Sequence, residues 1–375
     1  MLERIADIAD LQRLARRRVP RVFQQYVEAG SYDQITLRAN RTDLDRLAFR
    51  QRTTLDVSGR RLAKPLAGVA SSLPLALAPT GLIGAVHVNG EIHAARAAAA
   101  FGVPFCLSTM SIASIEDVAA ASGAPFWFQI YLMKDRGFSR SLIERARAAG
   151  CPVLVLTMDL HVEGRRNADV RNGLDIPPQL TLANVLDVLA SPAWALGMLR
   201  SRRFTFGNLE GRARGLASLT EWVRDQFDPH FTADDIEWVR ALWPGKLVVK
   251  GILEPDDAEI AVARGADAIV VSNHGGRQLD GAPSAAVAFP AVKAAVGDRA
   301  EVWFDSGIRS GLDVLKALAL GADGCLVGRA FVYGLGAAGA AGVTKALTIL
   351  REELDAAMAL AGVTDVAAVP RTTLR

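Results

Sequence analysis

Eight short apolar runs, separated by alanine-rich amphipathic stretches and one long insertion, set the strongest limit on how this 375-residue chain can fold. The runs cover 75–81, 104–110, 125–132, 152–159, 246–253, 268–274, 301–308 and 324–329. Between them lie helix-period stretches such as 90–100, 139–149, 256–264 and 312–320. Strands that are apolar throughout belong in a parallel sheet covered by helices. Eight such units in one chain of this length predict an α/β fold, a (β/α)8 or TIM barrel. A doubly wound open sheet is the alternative, and the eight even units favour closure. The expected layout is one domain over 1–375, opening with a short N-terminal helical segment at 1–65. The barrel follows at 66–335, carries a long insertion at 174–244 between strands four and five, and is succeeded by C-terminal helices at 336–375.

Polar residues gather at the ends of these runs: Thr80, Ser108, Gln129, Tyr131, Thr157, Asp159, Lys250, Ser272, His274, Asp305 and Arg329. In a closed barrel such ends converge on the C-terminal mouth, where barrel enzymes do their chemistry. One polar residue at a strand end serves as a turn or helix cap. Reactive types after strand upon strand indicate a site. The richest stretch is Ser272-Asn273-His274-Gly275-Gly276-Arg277-Gln278-Leu279-Asp280. It sets a titratable base beside a fixed cation, and its glycines let the backbone approach something flat or charged. That combination suits proton abstraction from a small carboxylate-bearing substrate.

The last two units supply an anion cradle. Asp305-Ser306-Gly307-Ile308-Arg309-Ser310-Gly311 and Gly328-Arg329 combine glycine amides, a helix N-terminus and two arginines. Loops after strands seven and eight of barrels are a frequent phosphate site. Lys250, at an apolar strand end, calls for a negative neighbour. A Schiff-base lysine, a simple ion pair and a cation facing an anionic cofactor all fit its spacing. A second glycine motif, Gly334-Leu335-Gly336-Ala337-Ala338-Gly339, matches the dinucleotide fingerprint. Only helical sequence follows it, so no βαβ unit can form; it reads as a small-residue helix face, and NAD is not implied.

Composition narrows the classes further. A net charge of +3 with both signs well mixed does not point to nucleic acid. Cys106, Cys151 and Cys325 lie far apart in apolar runs and read as reduced core residues of a cytoplasmic protein, without a metal or disulfide pattern. The N-terminus is charged and lacks the apolar core of a signal peptide. No uninterrupted apolar segment reads as long enough to span a bilayer.

With these residues in view, the chain resembles the FMN-dependent α-hydroxy acid dehydrogenase/oxidase family. The likeness runs from Tyr26-Val27-Glu28-Ala29-Gly30 to Gly328-Arg329, and its specific signature is Ser272-Asn273-His274-Gly275-Gly276-Arg277-Gln278. The resemblance implies that His274 is the catalytic base, paired with Asp159. It implies that Arg277 and Tyr26 hold the substrate carboxylate while Tyr131 and Arg166 face the substrate. Flavin contacts would come from Pro79, Thr80, Gly81, Ser108, Gln129, Thr157, Lys250 and Ser272, with Lys250 also offsetting charge on the reduced flavin. Asp305, Ser306, Gly307, Arg309, Gly328 and Arg329 would hold the ribityl chain and phosphate.

The implied activity is oxidation of a small L-2-hydroxy acid, foremost L-lactate, with electrons passed to quinone or a cytochrome. An oxygen-using oxidase, a mandelate-type dehydrogenase and a flavin-dependent isomerase stay open. Gly81, where the oxidases typically carry alanine, resembles the dehydrogenase branch. Relatives are commonly tetramers, so a homo-oligomer is implied. Within the insertion, 191–204 mixes Trp194 and Phe204 with Arg200, Arg202 and Arg203. This composition suits an anchor on an anionic membrane, which would seat the protein peripherally on the cytoplasmic face of the inner membrane. A lid packed on the barrel or a subunit contact suits it equally.

Overall fold

The computed structural model describes residues 2–174, 181–201, 203, 205–210, 222 and 225–375. Its strands are β1 (Leu75–Leu77), β2 (Cys106–Ser108), β3 (Trp127–Ile130), β4 (Val153–Thr157), β5 (Lys246–Ile252), β6 (Ala268–Val271), β7 (Glu301–Phe304) and β8 (Gly324–Val327). All pair in parallel, in the order β1-β8-β7-β6-β5-β4-β3-β2. The remaining seam is bridged by Leu77 against Phe105, with the Leu77 N–H donating to the Pro104 carbonyl over 2.9 Å. The ring is therefore the α/β barrel that the rhythm of the sequence predicts, not an open sheet.

Closure sorts side chains by parity, because successive residues of a strand point to opposite faces. Cys106, Trp127, Val155, Val248, Val270, Trp303 and Leu326 fill the inside. Their neighbours Leu107, Phe128, Leu154, Leu156, Val249, Ile269, Phe304 and Val327 pack under the helices. Trp127 and Trp303 stack inside the ring at 5.4 Å, and Leu66 closes the base against Gly324, where a Cβ would lie 2.2 Å away. Two residues further along the inward positions come Ser108, Gln129, Thr157, Lys250, Ser272 and Asp305, all buried. A polar layer thus sits on the apolar plug. The strands are shorter than the apolar runs, so several site residues stand in the loops just past them rather than on the strands.

The helix after β8, Arg329–Ala361, is interrupted at Ala338 and Gly339, whose backbone is not helical. It contains the second glycine motif, and Gly334 and Gly342 flank the break. A Cβ on Gly342 would lie 1.8 Å from the Gly334 carbonyl oxygen, so only glycine fits. By length and composition this helix is apolar enough to cross a membrane, which the sequence reading did not anticipate. Of its most apolar window 72% is buried in the protein, as befits a core helix.

Between β4 and β5 run helices Asn167–Arg171, Leu182–Leu189, Pro192–Met198 and Asp234–Leu242, with a 3-10 turn at Gly207–Leu209. Trp194 does not point outward as a membrane anchor would. Its indole N–H donates to the Ala85 carbonyl over 2.8 Å, and its ring stacks on Phe23 at 5.3 Å. Arg203 is taken up by Asp117 and Glu210. The exposed apolar residues lie elsewhere: Leu182, Leu186 and Leu189 on one helix, and Leu196 and Leu199 at the next. Arg202 and Phe204 fall outside the described residues.

Gly342→Ala should lower stability by about 2 kcal/mol or more, since the added methyl has no room and its neighbour is backbone. Urea unfolding with an unchanged midpoint would contradict this packing.

Candidate active site

His274 stands three residues past the end of β6 in the left-handed region, at φ +59°, and Gly275 and Gly276 continue that turn at +68° and +73°. A non-glycine residue there is strained and must be held by its surroundings. Asn273 holds it: its side chain exchanges two 2.8 Å hydrogen bonds with Asn40 and accepts the Gly276 N–H at 3.0 Å. The His274 N–H donates to Ser272 Oγ over 3.1 Å. A side chain at 275 would be strained at this φ, and its Cβ would lie 2.7 Å from an Arg329 nitrogen.

The His274 ring is oriented from both sides. Nδ1 lies 2.8 Å from Asp159 Oδ1, and Nε2 lies 3.4 Å from Tyr131 Oη. An ionised carboxylate only accepts, so Nδ1 carries the hydrogen and the Nε2 lone pair faces the cavity. Burial pushes the Asp159 carboxyl up, but His274 and the Lys250 ammonium outweigh it and hold it below the ordinary value. Asp159 reaches the imidazole because β5 bulges between Lys250 and Ile252 and places a glycine beside it. At Gly251 (φ +100°) a Cβ would come within 2.6 Å of the Asp159 carboxyl carbon.

Lys250 lies in the polar layer with its own acid. Nζ donates to Ser272 Oγ at 3.0 Å, that hydroxyl donates to Asp305 Oδ2 at 2.6 Å, and Nζ lies 3.3 Å from the same oxygen. Burial pulls its pKa down, but Asp305 and Asp159 outweigh burial and raise it. A Schiff-base role needs a neutral amine, so the ammonium reading is favoured over it. Gln129 links the next strands, accepting from Ser108 Oγ at 3.2 Å and donating to Thr157 Oγ1 at 3.1 Å.

Three arginines at the mouth have no carboxylate partner among the described residues: Arg277, Arg309 and Arg329. Arg277 Nη1 donates to the carbonyls of Tyr26 and Ala29 at 2.6 and 2.8 Å, and its guanidinium lies 4.8 Å above the Tyr26 ring. Arg329 donates to the carbonyls of Val27, Gly275 and Ala29. Arg309 donates to the Ile308 carbonyl at 2.7 Å and lies over Tyr333. Burial lowers all three, and repulsion from Arg309 and Arg277 helps bring Arg329 to about 9. Cations held out of water without acids call for an anion in the cavity they line.

The loops after β7 and β8 each lead into a helix, and the two N-termini differ. In Gly311–Ala319 the amides are already used: Arg309 and Ser310 N–H donate to Asp313, Asp313 N–H to Ser310, and Gly311 N–H to Glu353. The terminus without a side-chain cap is that of Arg329–Ala361, preceded by Gly328 in the cavity wall.

Of the residues singled out by sequence, Tyr26, Pro79, Thr80, Gly81, Ser108, Tyr131, Arg166, Lys250, His274, Arg277, Asp305, Ser306, Gly307, Arg309, Gly328 and Arg329 line one cavity. Asp159, Gln129, Thr157 and Ser272 stand behind its wall and orient those in front. Sequence reasoning missed Met110, Leu160, Glu163, Asp169, Leu174, Phe206 and Phe227, which also line the cavity. It also missed two buried struts. Glu91 accepts the N–H groups of Gly84 and Ile112 at 3.0 Å each, tying together the loops after β1 and β2. Asn208, from the insertion, reaches the carbonyls of Ser108 and Thr109. Neither follows a strand, and nothing local in the sequence marks them.

The arginine cluster makes a checkable prediction. Burial, with Arg309 and Arg277 nearby, brings Arg329 down to about 9, so its charge is held less firmly as pH rises past that value. Inorganic phosphate should therefore raise the thermal midpoint of the anion-free protein at pH 7 and lose that effect as pH passes 9, and Arg329→Met should abolish it. An equal rise at pH 10 would refute the assignment.

Comparison with known proteins agrees with this geometry. Residues 15–375 match the model of the family described as FMN-dependent dehydrogenase. An L-lactate dehydrogenase of Caulobacter vibrioides (strain NA1000 / CB15N) is 47% identical over 374 residues, covering 99% of this chain and 97% of the relative. One of Xanthomonas euvesicatoria pv. vesicatoria (strain 85-10) is 46% identical over 375 residues, covering 99% and 96%. Among solved structures, the monotopic membrane protein (S)-mandelate dehydrogenase matches with a TM-score of 0.95 at 37% identity, over 99% of both chains. A mandelate oxidase with (S)-4-hydroxymandelic acid matches at 0.83 and 40% identity, over 99% of this chain and 98% of that one. With a parallel barrel, a carboxylate-backed histidine at its mouth and a family match over nearly its whole length, the chain belongs to the FMN-dependent dehydrogenases.

Proposed function

We propose that this protein oxidises a small L-2-hydroxy acid, foremost L-lactate to pyruvate, and passes the electrons to a membrane-held carrier such as a quinone or a cytochrome. The observation that carries the reading is the His274–Asp159 pair, with Nε2 facing the cavity that Arg277 also lines. FMN, the cofactor of the family, supplies the sink for the two electrons of the substrate's C–H bond. Its phosphate would answer the unpaired Arg309 and Arg329, and Lys250 would meet negative charge on the ring system.

The chain's own residues account for the rest. Arg277 spends only Nη1 on backbone carbonyls, leaving the other nitrogens of its fork for a substrate carboxylate. Burial, with Asp159 and Tyr26 nearby, pushes the Tyr131 phenol well above its ordinary range, so it stays a donor. His274 Nε2 takes the hydroxyl proton, and Asp159 stabilises the imidazolium that forms.

Lactate is favoured by the names of the relatives at 47% and 46% identity. Mandelate is the second reading, favoured by the 0.95 structural match and by an apolar wall of Met110, Leu160, Leu174, Phe206 and Phe227. Anaerobic titration of the FMN-loaded protein with L-lactate, glycolate and (S)-mandelate decides between them: L-lactate should bleach the flavin at the lowest concentration. Oxygen as an efficient sole acceptor would overturn the dehydrogenase assignment. Asp159→Asn should lower the limiting rate of flavin reduction roughly 10³-fold or more with the flavin still bound.

Membrane contact is supported by the monotopic relative and by the leucine face of 182–199. Replacing Leu182, Leu186 and Leu189 by serine should release the protein from anionic lipid vesicles in a sedimentation assay without changing flavin reduction. Undiminished pelleting would place the contact elsewhere.

A further inference from the structure

A second cavity opens beside the first and shares Glu163, Arg166, Asp169, Leu174 and Phe227 with it. Its outer wall adds Lys134, His161 and Arg165, all exposed. The charges there are unevenly matched. Both carboxylates are committed to Arg166, which donates to Asp169 over 2.6 Å and to Glu163. The side chains of Lys134 and Arg165 have no ionic or hydrogen-bonding partner among the described residues. His161 is fixed by Nε2 against the Phe231 carbonyl at 3.1 Å. Two free cations therefore flank the approach to a guanidinium that stands in both walls, with Arg277 in the inner one.

Resting on the 2-hydroxy acid reading above, we propose that this outer cavity is an approach subsite for the substrate carboxylate, captured by Lys134 and Arg165 and handed inward past Arg166 to Arg277. A monoanion crossing the mouth meets a positive potential before it meets the base, and the product, a 2-oxo acid anion, leaves by the same steps. Potentials focused in such clefts speed association and fade with added salt. Neither Lys134 nor Arg165 touches the reacting atoms, so they act on arrival and not on chemistry.

Stopped-flow binding of oxalate, an unreactive carboxylate, to the oxidised holoenzyme tests this through the flavin absorbance. In the double variant Lys134→Gln/Arg165→Gln the association rate constant at low ionic strength should fall about 3- to 10-fold, and its salt dependence should flatten. The charge-reversed pair Lys134→Glu/Arg165→Glu should fall further. The limiting rate of flavin reduction at saturating L-lactate should stay as in the wild type. Wild-type association with wild-type salt dependence in both variants would overturn the subsite, as would an equal loss in the saturated rate. If L-lactate fails to reduce the flavin of the unaltered enzyme while the oxalate result holds, the substrate assignment fails and the carboxylate subsite stands.

Discussion

Positive charge drawn out of water at the barrel mouth is the constraint around which the rest of this molecule is arranged. Lys250 has Asp305 at 3.3 Å, but Arg277, Arg309 and Arg329 have backbone carbonyls as their hydrogen-bond partners. Four of those carbonyls' bonds come from Tyr26, Val27 and Ala29, in a segment outside the repeating strand–helix units. The same cations that call for an anion thus pin the N-terminal segment over the mouth. Helix Ile35–Arg46 reinforces the closure, with Asn40 bonded to Asn273 and Arg41 bonded to the Gly307 carbonyl and to Asp313. Filling the site and holding the segment are one electrostatic problem.

The local charge balance also divides the labour. Two carboxylates are matched one to one: Asp159 with the imidazole, Asp305 with the ammonium. What is left, among the described residues, is three guanidinium groups without a carboxylate facing a single cavity, a surplus of positive charge that bound anions would offset. An acid beside Arg329 or Arg309 would have quenched that surplus. The depressed value of Arg329 expresses the same imbalance, which an incoming phosphate relieves.

Much of this was legible in the sequence because the signal is one of parity. Once the strands close, Val248 and Lys250, or Val270 and Ser272, must share the inner face, so an apolar run ending in a polar residue reports a lined cavity. What escaped was everything that depends on packing between distant segments. Glu91 on an outer helix, Asn208 in the insertion and Asn40 near the N-terminus act across 21 to 233 residues of chain. Composition leaves Trp194 between a membrane anchor and a lid packed on the barrel for a related reason: only its hydrogen bond to Ala85 shows which surface it meets. The sequence does not say which of the two helix N-termini in the cradle is open, because the capping box at Ser310 consumes amides that a glycine-rich turn advertises as free.

The His274–Asp159 pair illustrates how far a local irregularity can matter. Parity places Asp159 above Thr157 on the inner face of β4, and His274 above Ser272 on that of β6, with β5 between them. Regular β5 backbone would carry a side chain into the gap they must bridge. The bulge after Lys250 and the bare Cα of Gly251 remove that obstacle, so carboxylate and imidazole meet at 2.8 Å across an intervening strand. The left-handed backbone of His274 is the complementary departure on the other side. Each breaks a local rule of strand or loop geometry, and each is held by rigid neighbours rather than by its own preference. Both departures lie in the polar layer at the mouth, while the barrel beneath keeps an apolar, well-packed core.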